Sequence, residues 1–419
     1  MDNVVPLKGA KPKGTAAPRR RRRRSKTALV LGGGGFTGAV YEIGALRALD
    51  LLSVNRTVNQ FDVYVGTSAG SFVASLAANG VTPEEMMRVV NQQVPTPFRD
   101  IDVGTLLRPN LLEYARSAAS LPFKGIEVLR ELAGQLKGAS LMDVGLGLAE
   151  SLPSGMYSGG GIERYMREVL SDPDRSDDFR LLEPELYLAA TDLDTCERIV
   201  FGAAGWDDIP ISTGVRASTA LPMVYQPVKV RDRELVDGGI VSTTNLDIAV
   251  EAGAKFVIVV NPLVPFVNDF SKRVGRLFPR PRRVSDMGFP QIGYQAFKLL
   301  AYQRLHEMAR QWEQRYPGVD IVLIEPEPND ELMFQTSILN FTSRVEVARH
   351  GFETVTLKLA RDYDRFHEVC ERHGIEISAT RVRKVVKNFA TEKDKVRAWR
   401  KILEQTTGAL LRQSGTAGD

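Results

Sequence analysis

Short apolar runs alternate with amphipathic stretches along most of the chain. The runs have the length of buried strands, and the stretches between them carry apolar residues at spacings of three and four, which is typical of helices. We predict strands at 26–32, 61–66, 185–193, 198–202, 234–238, 255–262 and 319–326, and helices at 39–52, 69–80, 161–170, 211–219, 245–253, 294–312 and 343–359. This alternation predicts an α/β fold in which helices cover both faces of a mainly parallel sheet.

Changes in composition divide the 419 residues into a main domain and additions. Residues 1–26 combine Gly, Pro, Ala and six consecutive arginines, and we predict a disordered basic tail because this composition offers nothing to bury. Residues 27–365 are assigned to the main domain. Within it, 266–318 is predicted to be an insertion or lid that joins a basic, Pro-rich piece to a long amphipathic helix. Residues 366–419 are predicted to form a helical, basic C-terminal extension.

The net charge of +4 is unevenly distributed. Ten Lys and Arg against one Asp give the first 26 residues a charge of +9, so the remainder carries −5. Such a tail is attracted to anionic lipid or to nucleic acid, and we expect an anionic membrane surface rather than nucleic acid as its partner. Glycines interrupt the apolar part after the arginines, so we do not expect an export signal. No run reaches the ~20 apolar residues of a membrane-spanning helix, and we expect a cytoplasmic protein that associates peripherally with a membrane.

The segment GTSAG at 66–70 fits the G-x-S-x-G pattern of a serine nucleophile. An apolar strand precedes it and a helix rich in small residues follows it, which is the context that the pattern requires. A sharp strand-to-helix turn presents Ser68 above the sheet edge, while Gly66 and Gly70 allow the turn and the close approach of neighbouring backbone. The alternative is a serine that only caps the helix.

A serine nucleophile needs a base, and the histidines are poorly placed to supply it. The chain has four, His306, His350, His367 and His373, all in its last third. None lies at the end of a predicted sheet strand, so a Ser-His-Asp triad is not favoured.

A carboxylate next to the serine is the other source of a base. Asp237 closes a predicted strand, and Gly238 and Gly239 after it keep the space above it open. An ordinary Asp-Gly turn is the alternative. Asp192 and Asp194 are rival acids, which we interpret as structural because no glycine opens the space around them.

The run GGGGFTG at 32–38 joins the first strand to the first helix. Gly33, Gly35 and Gly38 satisfy the G-x-G-x-x-G pattern of dinucleotide sites, which also expects an acidic residue at a strand end about 20 positions on. Asp62 is the nearest candidate, but it begins a strand. The other interpretation is a loop whose backbone N–H groups stabilise an oxygen on which negative charge develops.

Together these segments resemble the patatin-like phospholipase family. Three blocks match in order, GGGGFTG at 32–38, GTSAG at 66–70 and DGG at 237–239. Supporting matches are ATDLDTCERIVF, VRASTALPMVY and Asn245, and the resemblance covers about residues 27–360. It implies a three-layer α/β/α sandwich, and hydrolysis of lipid acyl esters by a Ser-Asp dyad.

The resemblance also implies roles for single residues. Ser68 corresponds to the nucleophile and Asp237 to its base, and Gly33, Gly34 and Gly35 correspond to the glycines whose N–H groups form the oxyanion hole. The implied substrate is a phospholipid or other acyl-ester lipid, cleaved in the manner of a phospholipase A or lysophospholipase. No metal or cofactor is expected, since no cluster of His, Cys and carboxylates has ligand spacing.

Two positions depart from the family pattern. Thr37 stands where the family often has Arg or Lys, and Asp247 where Pro is frequent. The absence of a basic residue at Thr37 bears on head-group preference, because a cation at this position could bind a lipid phosphate. A non-catalytic lipid-binding protein of the same fold and a dinucleotide-binding protein remain the alternative functions.

Overall fold

A computed structural model of the protein describes residues 25–91, 104, 108–111, 114–115, 153–268, 283–330, 332–333 and 343–387. Almost all of the predicted basic tail and most of the extension after 387 lie outside the described residues, as does the Pro-rich piece at 269–282. In the described part, each predicted strand and helix has a counterpart within a few residues.

The strands are β1 (Thr27–Leu31), β2 (Val63–Thr67), β3 (Gly155–Tyr157), β4 (Glu185–Asp192), β5 (Arg198–Phe201), β6 (Met223–Tyr225), β7 (Val228–Val230), β8 (Arg233–Asp237), β9 (Phe256–Val260) and β10 (Asp320–Ile324). The helices are α1 (Gly35–Leu52), α2 (Ala69–Ala78), α3 (Pro83–Asn91), α4 (Gly160–Leu170), α5 (Ile211–Ser218), α6 (Leu246–Glu251), α7 (Phe289–Ala309), α8 (Trp312–Arg315), α9 (Arg344–Arg361) and α10 (Tyr363–Arg372). Short strands β3, β6 and β7 were not predicted from the sequence.

The main sheet has eight strands and is mainly parallel, as predicted. Strands β10, β9, β1, β2 and β4 are neighbours in that order, and each pair runs parallel. Strands β5 and β8 pair antiparallel with β4, and β7 pairs antiparallel with β8. Strands β3 and β6 form a separate two-stranded parallel sheet.

Strand β4 brings β2 and β8 end to end. Ala189 pairs with both β2 and β5, while Ala190 pairs with both β5 and β8. Since a strand has two edges, β2 and β8 must share one edge of β4. Thr67, the last residue of β2, lies opposite Ala189, and Asp237, the last residue of β8, lies opposite Ala190. Asp237 is therefore at the level where the chain leaves β2 at Ser68.

Helices cover both faces of the sheet and form a three-layer α/β/α sandwich. Side chains alternate between faces along β1. Leu29 and Leu31 belong to the larger core cluster, with residues of α1, α2, α4, α5 and α9. Ala28 and Val30 belong to a second cluster on the opposite face, with residues of α6, α7 and α8.

Helix α9 packs directly on α1. A Cβ built on Gly44 would lie 2.2 Å from the carbonyl oxygen of Ala348, and one built on Gly351 would lie 2.5 Å from that of Tyr41. Only glycine permits this approach from both sides. The core therefore includes a helix that is about 300 residues away in sequence from the helix that it covers.

Two helical regions lie where the sequence predicts a lid and an extension. Helix α7 forms the central part of the predicted lid, and its Leu305 is buried against the α6 layer. Residues 379–387 are helical, and Val382 within them is buried in the main core. Of the helices that the structure describes, none combines the length and the apolar character needed to cross a bilayer.

Candidate active site

Ser68 occupies the strained turn between β2 and α2. Its backbone has φ 54° and ψ −125°, a region that residues other than glycine rarely adopt. The surrounding backbone fixes the turn. Ser68 N–H donates to Ser218 Oγ at 2.9 Å, Ser218 Oγ donates to the Ala189 carbonyl at 2.6 Å, and Gly70 N–H donates to the Gly32 carbonyl at 3.0 Å.

The glycines that flank Ser68 are required by close packing. A Cβ built on Gly70 would lie 2.2 Å from the Leu31 carbonyl oxygen, and one on Gly66 would lie 2.5 Å from Ser71 Cα. Both distances are impossible for a real side chain. The two glycines of the G-x-S-x-G pattern are therefore needed because the turn packs closely against neighbouring backbone, including the end of β1.

Strand β8 places the Asp237 carboxylate at the hydroxyl of Ser68. Ser68 Oγ donates to Asp237 Oδ2, and Gly239 N–H donates to Oδ1 at 2.7 Å. Ser68 is 8% exposed and Asp237 is 3% exposed. A Cβ on Gly238 would lie 2.3 Å from the Ala189 carbonyl oxygen, so this glycine lets the chain turn away immediately after the carboxylate. The structure thus brings together the two residues that the sequence singled out.

The environment of Asp237 makes it a stronger base than an exposed aspartate. Burial raises its pKa to about 6, against the opposing effect of the hydrogen bonds from Ser68 and Gly239. The carboxylate is therefore ionised at neutral pH, and it takes up a proton more readily than an aspartate in water does.

The glycine loop presents two unused N–H donors beside Ser68. Gly33 N–H donates to the Thr243 carbonyl at 3.0 Å, so this donor is already occupied. Within the described residues, the N–H groups of Gly34 and Gly35 have no acceptor. Both are at the beginning of α1, where the helix dipole also favours negative charge. Of the three predicted donors, Gly33 is thus already bonded, while the N–H groups of Gly34 and Gly35 are available to an oxyanion.

Gly33 and Gly38 contribute through their small size. A Cβ on Gly33 would lie 3.3 Å from Ser68 Cβ, and one on Gly38 would lie 3.1 Å from Pro262 Cγ. Side chains at these positions would crowd the nucleophile or displace the loop from the end of β9.

Sequence reasoning missed most of the residues that hold the segment after β8. Asn245 has a left-handed backbone, and its Nδ2 donates to Thr67 Oγ1 at 3.0 Å, directly before Ser68. Its Oδ1 accepts from Arg198, which also pairs with Asp247 at 2.7 Å. Asp247 thus gains an ion pair at the position where the family pattern has Pro, which accounts for that departure. The resemblance had marked Asn245 as a match and Asp247 as a departure, but it gave no contact for either.

An apolar cavity of about 140 Å³ contains the Ser68–Asp237 pair at its polar end. The glycine loop lines the same end. Much of the remaining wall comes from four helices of the main core, through Val40, Ile43, Phe72, Leu76, Met86, Val90, Ile162, Tyr165 and Val169. Helix α7 contributes Tyr294 and Phe297 on the other side. A site of this shape can bury an apolar chain while its terminal polar group lies at the serine.

Three of the four histidines pair with acids elsewhere, and the fourth, His367, lies with its ring centroid 5.7 Å from that of Tyr363. His306 pairs with Glu325 at 2.9 Å, His350 with Asp330 at 2.5 Å and His373 with Asp320 at 2.8 Å. None of the described residues that line the cavity is a histidine. The geometry in this part of the chain therefore offers Ser68 a carboxylate as its basic partner.

Two other acids that the sequence offered, Asp192 as a rival base and Asp62 as a ribose contact, have structural partners. Although burial alone would raise it, the pKa of Asp192 is held below its ordinary range by hydrogen bonds from the N–H groups of Thr195 and Asp194 and from Arg233. Asp62 accepts from the N–H and hydroxyl of Thr27, both at 2.8 Å, at the opposite end of β1 from the glycine loop. This position is unsuited to a ribose contact in a dinucleotide site.

Comparison with known proteins decides the family. A profile described as patatin-like phospholipase matches residues 29–250, just over half of the chain. The chain belongs to the patatin-like phospholipase family. The matched segment of this patatin-like chain contains the glycine loop, Ser68 and Asp237.

Individual relatives are distant. A protein named probable lipid hydrolase 463L from Invertebrate iridescent virus 6 is 22% identical over 218 residues, which span 52% of this chain and 61% of the relative. Among solved structures, VipD from Legionella pneumophila is 12% identical, with a TM-score of 0.35 over 80% of this chain and 67% of that one. The type III effector ExoU, known from Pseudomonas aeruginosa, is 14% identical, with a TM-score of 0.35 over 85% of this chain and 54% of that one. The patatin-like chain thus spans less than two thirds of the viral relative.

Proposed function

We propose that this protein hydrolyses lipid acyl esters, with Ser68 as the nucleophile and Asp237 as its general base. The observation that carries the proposal is the hydrogen bond from Ser68 Oγ to Asp237 Oδ2 at the polar end of an apolar cavity. The family assignment and the name of the viral relative support a lipid as substrate.

The first half of the reaction forms an acyl enzyme. Asp237 Oδ2 accepts the hydroxyl proton as Ser68 Oγ attacks the ester carbonyl carbon. The carbonyl oxygen becomes an oxyanion, which the N–H groups of Gly34 and Gly35 stabilise. When the tetrahedral intermediate collapses, the bond to the alcohol oxygen breaks and Asp237 returns the proton to that oxygen.

The second half releases the fatty acid. Water gives a proton to Asp237 as its oxygen attacks the acyl carbon. The second tetrahedral intermediate uses the same two donors, and its collapse returns the proton to Ser68 Oγ. The walls of the cavity suit the acyl chain, so the alcohol, a glycerol-based head group or a lysolipid, lies towards α7. This orientation of the bound lipid corresponds to the reaction of a phospholipase A or lysophospholipase.

The proposed site of action is the surface of an anionic membrane. The basic segments that suggest it lie largely outside the described residues. Helix α7 adds support, because Ile292, Leu299 and Leu300 on its outer face are between 46% and 70% exposed. Large apolar side chains on the surface of a helix that covers an acyl-binding cavity suit contact with lipid.

Turnover of a simple ester tests the proposal. Pure protein is expected to hydrolyse p-nitrophenyl decanoate, and Ser68→Ala to lose this activity while keeping its melting temperature. Ser75→Ala is the matched control, because Ser75 is on the same helix outside the cavity wall and should retain turnover. Full activity in Ser68→Ala would reject the nucleophile. Binding of a fluorescent fatty acid without any turnover would favour the non-catalytic alternative.

A further inference from the structure

Helix α7 carries a buried lysine on the face that it turns towards the active site. Lys298 is 7% exposed, and Leu305, two turns further along the same face, is 2% exposed. Tyr294 and Phe297 on this face line the cavity that contains Ser68. A lysine at the centre of an inward helical face is uncommon, because burying an ammonium group without a partner is costly.

The ammonium group has an aromatic ring as its partner and lacks a counter-charge. Nζ lies 4.6 Å from the ring centroid of Tyr294, one helical turn towards the N-terminus. In the described part of the chain, no carboxylate pairs with Nζ and no acceptor receives a hydrogen bond from it. Burial accordingly lowers the pKa of Lys298 to about 8, so the side chain is still largely charged at neutral pH.

The same ring connects Lys298 to the catalytic carboxylate. Tyr294 lines the cavity together with Asp237, and burial and then the charge of Asp237 raise the pKa of its hydroxyl. Tyr294 thus lines the cavity that contains Asp237, and the Lys298 ammonium group lies over its ring. The described lining residues of the cavity include no Lys or Arg, and Lys298 is a cation that contacts one of them, Tyr294.

We propose that Lys298 binds the phosphate of the substrate head group and so selects phospholipids over neutral acylglycerols. This inference rests on the proposed function and names a specificity residue within that site. The acyl chain occupies the apolar walls, the ester lies at Ser68, and the phosphodiester extends past Tyr294, where its charge pairs with Nζ. An ammonium on a flexible stem binds phosphate as a point charge, and it supplies here the cation that Thr37 does not provide.

A matched pair of substrates tests the charged head group. Palmitoyl lysophosphatidylglycerol and monopalmitoylglycerol share the acyl ester and differ in the phosphoglycerol group, whose only charge is on its phosphate. The measured quantity is the ratio of kcat/KM for the first to kcat/KM for the second in neutral detergent micelles. Lys298→Met should lower this ratio about tenfold or more, mainly through KM, because a charge-assisted contact is lost. Lys298→Arg should keep the ratio within about threefold, and so should Lys229→Met, which removes an exposed lysine on β7.

The outcomes separate the two proposals. A protein that hydrolyses neither lipid contradicts the proposed function. A protein that hydrolyses both, with the same ratio in wild type and Lys298→Met, overturns the role of Lys298 alone. An equal fall for both lipids in Lys298→Met also overturns it, since a packing role would act on either substrate. Lys298-dependent inhibition of monopalmitoylglycerol hydrolysis by millimolar inorganic phosphate, together with an unchanged substrate ratio in Lys298→Met, would identify a free-phosphate site and reject a head-group site.

Discussion

At the scale of single residues, Asp237 combines two properties that oppose each other. It is buried, which disfavours its charge, and it accepts hydrogen bonds from Ser68 and Gly239, which favour it. Burial has the larger effect. The carboxylate is therefore less stable when charged than an exposed aspartate, which is the property that its proposed role as the base for Ser68 requires.

This balance predicts the pH dependence of hydrolysis. Asp237 must be unprotonated to act as a base, and its pKa is raised to about 6. We expect kcat/KM for a soluble ester to be constant above pH 7 and to fall about tenfold per unit below pH 6. A pH–rate profile measures this directly. If the fall in kcat/KM at low pH disappears when His306, His350, His367 or His373 is replaced by Gln, the base would instead be that histidine.

The same balance predicts that the catalytic charge lowers stability. The ordinary pKa of 3.8 is raised to about 6 in the folded protein, so the wild type loses stability as pH rises between these values and the loss is complete above pH 6. Asp237→Asn should therefore be more stable than wild type at pH 7.5, by on the order of 1–3 kcal/mol. Chemical denaturation at pH 7.5 and pH 4 measures the difference, which should nearly vanish at the lower pH. A variant less stable than wild type at pH 7.5 would contradict the assigned cost of the buried charge.

The sequence singled out Ser68 and Asp237, but few of the residues that hold them in position. Each lies in a short motif next to glycines, and such motifs are visible because local backbone geometry demands particular residues. Ser218, Arg198 and Thr243 contact the site from elements far away in sequence, and their roles depend on a register that no local pattern reveals. The hydrogen bond from Gly33 N–H to the Thr243 carbonyl likewise depends on this long-range register.

At the scale of elements, the direction of β8 explains how Ser68 meets Asp237. In a parallel sheet the carboxyl ends of strands meet at one edge. Strand β8 runs antiparallel to β4 and returns into the sheet, and it stops opposite Ala190 on the edge of β4 that β2 has just left. The sequence predicted the strand and its terminal carboxylate. It did not predict the direction, because the apolar pattern of a short strand is the same in both orientations.

The first turn of α1 is the element that should control transition-state stabilisation. Gly35 has φ 62°, so Gly35→Ala strains the backbone next to the proposed donors. Gly80→Ala is the matched control, since Gly80 has φ 79° at the end of α2 and open space around its Cα. Both variants should lose about 1 kcal/mol of stability. Only Gly35→Ala should lower kcat, by roughly 10²-fold, because it displaces the N–H groups that are proposed to stabilise the oxyanion.

Equal kinetic effects in the two glycine variants would show that general destabilisation, rather than the position of the donors, determines the rate. Steady-state kinetics on p-nitrophenyl decanoate and thermal unfolding of both proteins are sufficient to decide between these explanations.

At the scale of the whole molecule, the fold extends beyond the segment that defines the family. The family profile ends at residue 250, yet β9 pairs with β1 and α9 packs on α1 through Gly44 and Gly351. We therefore propose that the catalytic domain continues to about residue 365. The start of the C-terminal extension also packs on this core, through the buried Val382, so its apolar positions there serve the protein's own interior.

This packing shifts the expected membrane contact towards the N-terminal tail. The tail carries +9, and each basic residue near an anionic surface contributes roughly 1 kcal/mol at low salt. Sedimentation with liposomes should show binding that rises with the fraction of phosphatidylglycerol, weakens in high salt and falls on deletion of residues 1–26. Equal binding to neutral and anionic liposomes, unaffected by the deletion, would contradict an electrostatic attachment.

The central claim is that Ser68 is a nucleophile activated by Asp237 without help from a histidine. The most direct test is the rate at which a fluorophosphonate labels the folded protein, with the modified residue identified by peptide mass spectrometry. We predict labelling of Ser68 alone in wild type, slowed at least about 10²-fold in Asp237→Asn and within about threefold of wild type in each His→Gln variant. Labelling at another residue, an unchanged rate in Asp237→Asn, or loss of labelling in a folded histidine variant would contradict this account.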